Sequence, residues 1–113
     1  MLARNNRVTR PADFRTTVRS GRRVGAANTL LHVVVGNGER EPRFGFIVTK
    51  AVGGAVTRNL VRRRLRAVCR DILPNVAAGV DVVVRALPGS DRATWGTLHS
   101  EIAEALGKAV SKG

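Results

Sequence analysis

The chain has 113 residues, with 17 Arg and 3 Lys against 8 acids, a formal net charge of +12 at pH 7 and a single cysteine, Cys69. That length suits one compact domain, and 43% hydrophobic residues can build its core without a disulfide staple, which a lone cysteine cannot form within the chain. No apolar run approaches the roughly 18 residues of a membrane span and the start lacks the apolar stretch of a signal peptide, so a reducing cytoplasm is the expected location, with no membrane partner.

Residues 1–10 are polar, basic and without periodicity, the pattern of a flexible basic arm. Pro11 suits the first position of a helix and Gly21 its left-handed stop. Between them Phe14 and Val18 stand four apart on one face, with Arg15, Arg19 and Arg22 beyond them. Val24 to Ala27 can add a short edge strand. Residues 29–35 read as a strand, followed by a Gly36-Asn37-Gly38 turn and a charged tip ending at Pro42. Residues 43–49 read as a second strand, and the two are expected to pair as an antiparallel hairpin.

A Gly-rich loop, Lys50 to Gly54, precedes a helical pattern that runs from Ala55 to Leu73, where Pro74 prevents continuation. Val80 to Ala86 is the next strand, with Val82, Val83 and Val84 as a continuous buried run. After a turn at Leu87-Pro88-Gly89, Ser90 or Asp91 can cap a last helix. The core-facing stripe of that helix reads Trp95, Leu98, Ile102, Ala105 and Ala109. The expected fold is a single α+β domain over residues 1–113, a two-layer α/β sandwich with a small mixed sheet and element order αβββαβα.

The charge is unevenly placed. Residues 1–70 hold 16 bases and 3 acids, a net of +13, whereas residues 71–113 hold 4 and 5, a net of −1. At about 100° per residue, Val61, Leu65, Val68, Cys69 and Ile72 gather on a core face, and Asn59, Arg62, Arg63, Arg66 and Arg70 gather on an adjoining one. Arg58 falls at the boundary and Arg64 points away. Like charges such as Arg62 and Arg66, four apart, cost a few tenths of a kcal/mol each in an isolated helix. Solvated charged faces usually alternate in sign, yet no acid occurs between Glu41 and Asp71. A ridge of this kind expects phosphates, whose oxygens match the planar Arg fork.

The run Lys50-x-x-Gly53-x-Ala55-Val56-x-Arg58-Asn59-x-x-Arg62-Arg63-x-x-Arg66 resembles the Arg-Asn-Arg signature of the bacterial ribonuclease P protein family. The likeness covers almost the whole chain. Asp13-Phe14, with Gly21 seven residues after the Phe, resembles the family's first helix, and the later elements follow in the family's order. Leu60 stands where the signature usually has its second Arg, Ala51 where a second Lys is common and Ala67 where an acid is frequent. Val18 replaces a second aromatic, and His32 occupies the position where the family often has a cleft Tyr.

The resemblance implies a protein subunit of an endoribonuclease whose chemistry is carried by an RNA subunit with magnesium, held mainly by the RNA. The partners it implies are that RNA and precursor tRNA, with no small-molecule substrate. Arg58, Asn59, Arg62, Arg63 and Arg66, with Lys50 beside them, would contact the RNA subunit, and Arg70 extends the same ridge. Phe14, Val18 and His32 would line a cleft for the single-stranded 5′ leader, with the strand bearing Phe44 and Phe46 nearby. The three Phe can equally be plain core residues; Phe44 and Phe46 share a face, so one reading must hold for both. The family also implies a left-handed crossover through the basic helix, against the right hand of about 98% of parallel crossovers.

The residues offer no protein active site. His32 and His99 lack ligand partners at useful spacing, Cys69 falls on the core face, and the acids form no paired constellation. A structural RNA-binding protein of the ribosomal type is the main alternative, sharing the charge but needing no leader cleft. A helix-turn-helix is disfavoured because no second helix closely precedes the basic one.

Overall fold

A computed structural model describes residues 2–36 and 38–111. Asn37, the centre of the expected Gly36-Asn37-Gly38 turn, lies outside the described residues, as do Met1, Lys112 and Gly113. The elements run α1 (Pro11–Ser20), β1 (Arg22–Gly25), β2 (Thr29–Val35), β3 (Arg43–Ile47), α2 (Ala55–Ile72), β4 (Val80–Ala86) and α3 (Trp95–Ser111), with short 3-10 turns at Arg4–Asn6, Leu73–Asn75 and Ser90–Arg92. This is the expected α+β order, αβββαβα.

The four strands form one mixed sheet in the order β1-β2-β4-β3. β4 pairs antiparallel with β2 and parallel with β3. The expected β2–β3 hairpin therefore does not form; β4 inserts between the two strands. Its Val82, Val83 and Val84 are fully buried, and an edge position would have left this apolar run and one side of its backbone unpaired. The connection between β2 and β3, residues 36–42, is long enough to step over one strand spacing of about 4.8 Å and reach the next. The hairpin that does form is β1–β2, with Arg23 opposite His32. β3 and β4, being parallel, are joined through α2.

Strand register sorts the sheet's two faces. Val33, Val82 and Phe44 lie abreast, as do Leu31, Val84 and Phe46, and these rows face the core. Val61, Leu65, Val68, Cys69 and Ile72 of α2 and Leu98, Ile102, Ala105, Leu106 and Ala109 of α3 close that core from the other side. The alternate row, Arg23, His32, Val83 and Gly45, faces away from it. α1 lies on this outer face, against β2 and β4.

Three local expectations are corrected. Residues 2–8 are not a loose arm: Leu2 and Val8 are buried, the Val8 N–H donates to the Phe44 carbonyl (2.9 Å), and Asn6 Nδ2 donates to the Pro42 carbonyl (2.9 Å). The segment covers part of the open edge of β3, which would otherwise present unpaired backbone groups. Gly21 stops α1 in an extended conformation (φ −72°, ψ 152°), not a left-handed one. Glycine is required there by close approach, since a Cβ would stand 2.4 Å from the Thr17 carbonyl oxygen and 3.0 Å from the Val33 nitrogen. Finally, the last helix is capped by Thr94, whose Oγ1 accepts the Thr97 N–H at 3.1 Å, while Ser90 is buried in the preceding 3-10 turn.

The Gly21 geometry makes a test. Both atoms a Cβ would meet belong to backbone, so Gly21→Ala must push α1 off the sheet and should cost about 1–3 kcal/mol in urea denaturation. An unchanged midpoint would show that α1 has slack against β2.

Candidate nucleic-acid interface

The buried face of α2 fixes the helix's rotation, and with it the direction of every other side chain. Asn59, Arg62, Arg63 and Arg66 border one shallow hollow together with Ala67. Arg70 continues the line in a neighbouring hollow that Ala67 also borders, with Asp71, Pro74 and Trp95. Arg62 is steadied at the base of the ridge, donating to Asn59 Oδ1 (3.3 Å) and to the Val48 carbonyl (3.4 Å). Lys50 is exposed on the turn just after Val48. Arg64 is turned aside, as its helical position requires, and donates to the carbonyls of Asp91 (2.7 Å) and Ala93 (3.2 Å).

Among the described residues no ridge arginine forms an ion pair with an acid. The Nε groups of Arg58 and Arg66 are moreover buried without an acceptor from the protein. The outer flank of the same helix carries exposed Val56 and Leu60.

On the outer face of the sheet, Phe14, Arg15, Val18 and Arg19 of α1 and Ile47 of β3 border an open groove. Gly45 makes room for it: a Cβ there would stand 2.7 Å from the Phe14 ring, so the ring rests directly on the β3 backbone. Arg85 lies on this face beside Ile47 and adds positive charge.

The five residues expected in this cleft are thus divided. Phe14 and Val18 line it. Phe44, 1% exposed, belongs to the core on the opposite face, and Phe46 packs against that core, because alternation along β3 turns Gly45 and Ile47 outward when Phe44 and Phe46 turn inward. His32 is on the correct face but lies outside the groove, buried, with neither ring nitrogen finding a protein partner. Burial, then the nearby charges of Arg23 and Arg85, lowers its pKa from the ordinary 6.5, so the ring is neutral at pH 7. The unfolded chain takes up this proton first, so His32 works against folding as the pH falls below 6.5.

The sequence reading missed Ile47, whose signal was the period of two along β3, and it set Arg15 and Arg19 beyond the apolar pair although they border the same groove. It also missed the junction between ridge and cleft. Around the edge of β3, Arg7, Thr9 and Phe14 from one side meet Phe46, Arg62 and Arg66 from the other in a single small hollow. Ridge and cleft are parts of one surface.

The thiol of Cys69 is buried and burial raises its pKa, so it remains protonated and unreactive. His99 is hydrogen-bonded through Nε2 to Asp71 Oδ2 at 2.8 Å. Among the described residues no three His, Cys, Asp or Glu side chains are grouped to hold a metal ion.

Comparison with known proteins gives this surface a family. A family model described as Ribonuclease P matches residues 2–110. The ribonuclease P protein component of Clavibacter michiganensis subsp. michiganensis is 50% identical over 110 residues, covering 97% of each chain. That of Pseudarthrobacter chlorophenolicus is 45% identical over 112 residues, covering 99% of this chain and 82% of the relative. In three dimensions, the Staphylococcus aureus RNase P protein superposes with a TM-score of 0.79 at 24% identity, over 93% of this chain and 95% of that one, and so shares the fold. The chain belongs to the ribonuclease P protein family.

Proposed function

We propose that this chain is the non-catalytic protein subunit of ribonuclease P, binding the catalytic RNA along the α2 ridge and the 5′ leader of precursor tRNA in the groove beside α1. The reading is carried by one observation: the unpaired arginine ridge and the groove of Phe14, Val18 and Ile47 meet around the β3 edge. Phosphate contacts along the ridge supply affinity and register. An apolar groove with one aromatic ring accepts any base, which suits a leader whose sequence differs from one tRNA to the next. Arg15 and Arg19 on the groove's rim would follow the leader's backbone.

In this reading the hydrolysis that frees the mature tRNA 5′ end is the RNA's chemistry. Magnesium belongs to the RNA phosphates, and the protein's part is to bind, to align the leader and to offset charge where two RNAs meet. Such a subunit works in the cytoplasm, where precursor tRNA is processed. No helix among the described residues is long and apolar enough to cross a membrane.

The test compares precursor tRNA with and without its leader for binding to the assembled RNA–protein complex. Leader-bearing substrate should bind more tightly, and Phe14→Ala should remove about 1–3 kcal/mol of that preference, the worth of one stacked base. Equal affinity for both substrates would sink the reading in favour of a structural RNA-binding protein. If Phe14→Ala lowers stability and the leader preference survives, the ring serves packing over Gly45 only.

A further inference from the structure

Trp95 borders the hollow at the Arg70 end of the ridge. It was expected in the core stripe of α3, yet 44% of it is exposed. It is the first residue of that helix, and helical side chains lean back toward the N-terminus. Its indole lies outside the core, which Leu98, Ile102 and Ala105 fill without it.

The position is nevertheless firmly held. The indole rests against the His99 ring, with centroids 4.8 Å apart and planes 31° from parallel, and His99 is fixed in turn by Asp71 at 2.8 Å. The segment before it is tied to α2 by Arg64, which donates to the Asp91 and Ala93 carbonyls. Trp95 then forms one wall of a hollow with Ala67, Arg70, Asp71 and Pro74, and Ala67 borders the main ridge hollow as well. An exposed aromatic ring is thus fixed where the phosphate-binding ridge ends, on the side away from the cleft.

We propose that Trp95 is a stacking site for an unpaired RNA nucleobase, with Arg70 taking the adjoining phosphate. The inference rests on the RNA-binding reading of the ridge and lengthens its footprint at the α3 end. The ligand must be unpaired, because a base within a helix has no free face to offer an indole. The acids do not argue for a cationic partner, since Asp71 is engaged by His99 and Arg70 stands beside it. The base could come from the catalytic RNA or from precursor tRNA, and the two are separable by experiment.

The chain holds one Trp and no Tyr, so its intrinsic emission reports on this site alone. The full-length protein is titrated first with ribonuclease P RNA, then, as the assembled complex, with precursor tRNA. Quenching in the first step assigns the base to the catalytic RNA, and quenching only in the second assigns it to the precursor. Trp95→Ala should weaken the corresponding binding about 5- to 100-fold and Trp95→Phe should restore most of it. The wild-type emission needs no variant, so misfolding of Trp95→Ala would not leave the question open. Unchanged emission with both RNAs, and Trp95→Ala binding within about twofold of wild type, would overturn the proposal; if ridge substitutions still weaken binding, only the stacking site falls. If they do not, the RNA-binding reading falls with it.

Discussion

Replacing Arg62 and Arg66 together with Ala is expected to weaken binding of ribonuclease P RNA about 100-fold, near 1.4 kcal/mol for each lost charged contact. The same change should flatten the dependence of log affinity on log salt by about 1.4–1.8, because two fewer phosphates release their counterions. The expectation follows from where these side chains stand. Both border the main ridge hollow and the hollow that joins it to the cleft, and neither is offset by an acid among the described residues. The free protein should hold its stability within about 0.5 kcal/mol, since relief of like-charge repulsion along α2 offsets the loss of Arg62's hydrogen bonds. A loss of affinity at unchanged stability would separate a binding surface from a structural one. Lys108→Ala, removing a cation that pairs with Glu104 on α3, should leave the salt slope unchanged. An unaltered slope in the Arg62/Arg66 variant would mean that the ridge faces only solvent.

The ridge was legible from sequence because a helix encodes its own faces. Once Val61, Leu65 and Val68 are placed inward, a period of 3.6 residues leaves no freedom for Arg62, Arg63 and Arg66. The strands encode less. Alternation shows that Phe44 and Phe46 share a face, but which face α1 covers depends on α1's own placement, and that rests on contacts such as Phe14 over Gly45. Strand order is likewise non-local. The Val82–Val84 run announces a buried strand without naming its neighbours, and an adjacent hairpin was the shorter guess. Trp95 kept the period of the α3 stripe and failed only because a periodic pattern does not register where its helix begins. Asn6 and Val8 are hydrogen-bonded to Pro42 and Phe44, and Leu2 is buried in the core, placements that leave no periodic trace.

The ion-pair network around Asp81 was the least legible feature, since its members lie 30 to 41 residues apart in the chain. The Asp81 side chain is only 10% exposed and accepts from Arg43 Nε (3.0 Å) and Nη2 (2.8 Å) and from Arg40 Nη2 (2.7 Å), while Arg43 Nη1 reaches Asp13 at 3.4 Å. Two of the bases in residues 1–70 are thereby engaged within the fold, Arg43 largely buried and Arg40 still half exposed. Burial alone would raise the Asp81 pKa, but the hydrogen bonds and charge of Arg43, then of Arg40, hold it below its ordinary 3.8. The sign follows: the stabilisation is complete above pH 3.8 and is lost as the pH falls through the lower, folded-state pKa. Asp81→Ala should be harsher than acid, because it strands the largely buried Arg43 guanidinium without its carboxylate, at a cost of about 3–5 kcal/mol. That is a large share of the 5–15 kcal/mol that holds a typical domain together. The consequence should reach the cleft, because Arg43 also holds Asp13 and so sets the first turn of α1, one residue before Phe14. Asp81→Asn, which keeps the shape and one acceptor, should lose less stability yet blur leader discrimination while leaving the salt slope of RNA-subunit binding intact. Urea denaturation of both variants, with leader-dependent binding of Asp81→Asn, decides the matter. A loss under about 0.5 kcal/mol for Asp81→Ala would place the network among solvent-screened surface pairs and remove the link from this carboxylate to the cleft.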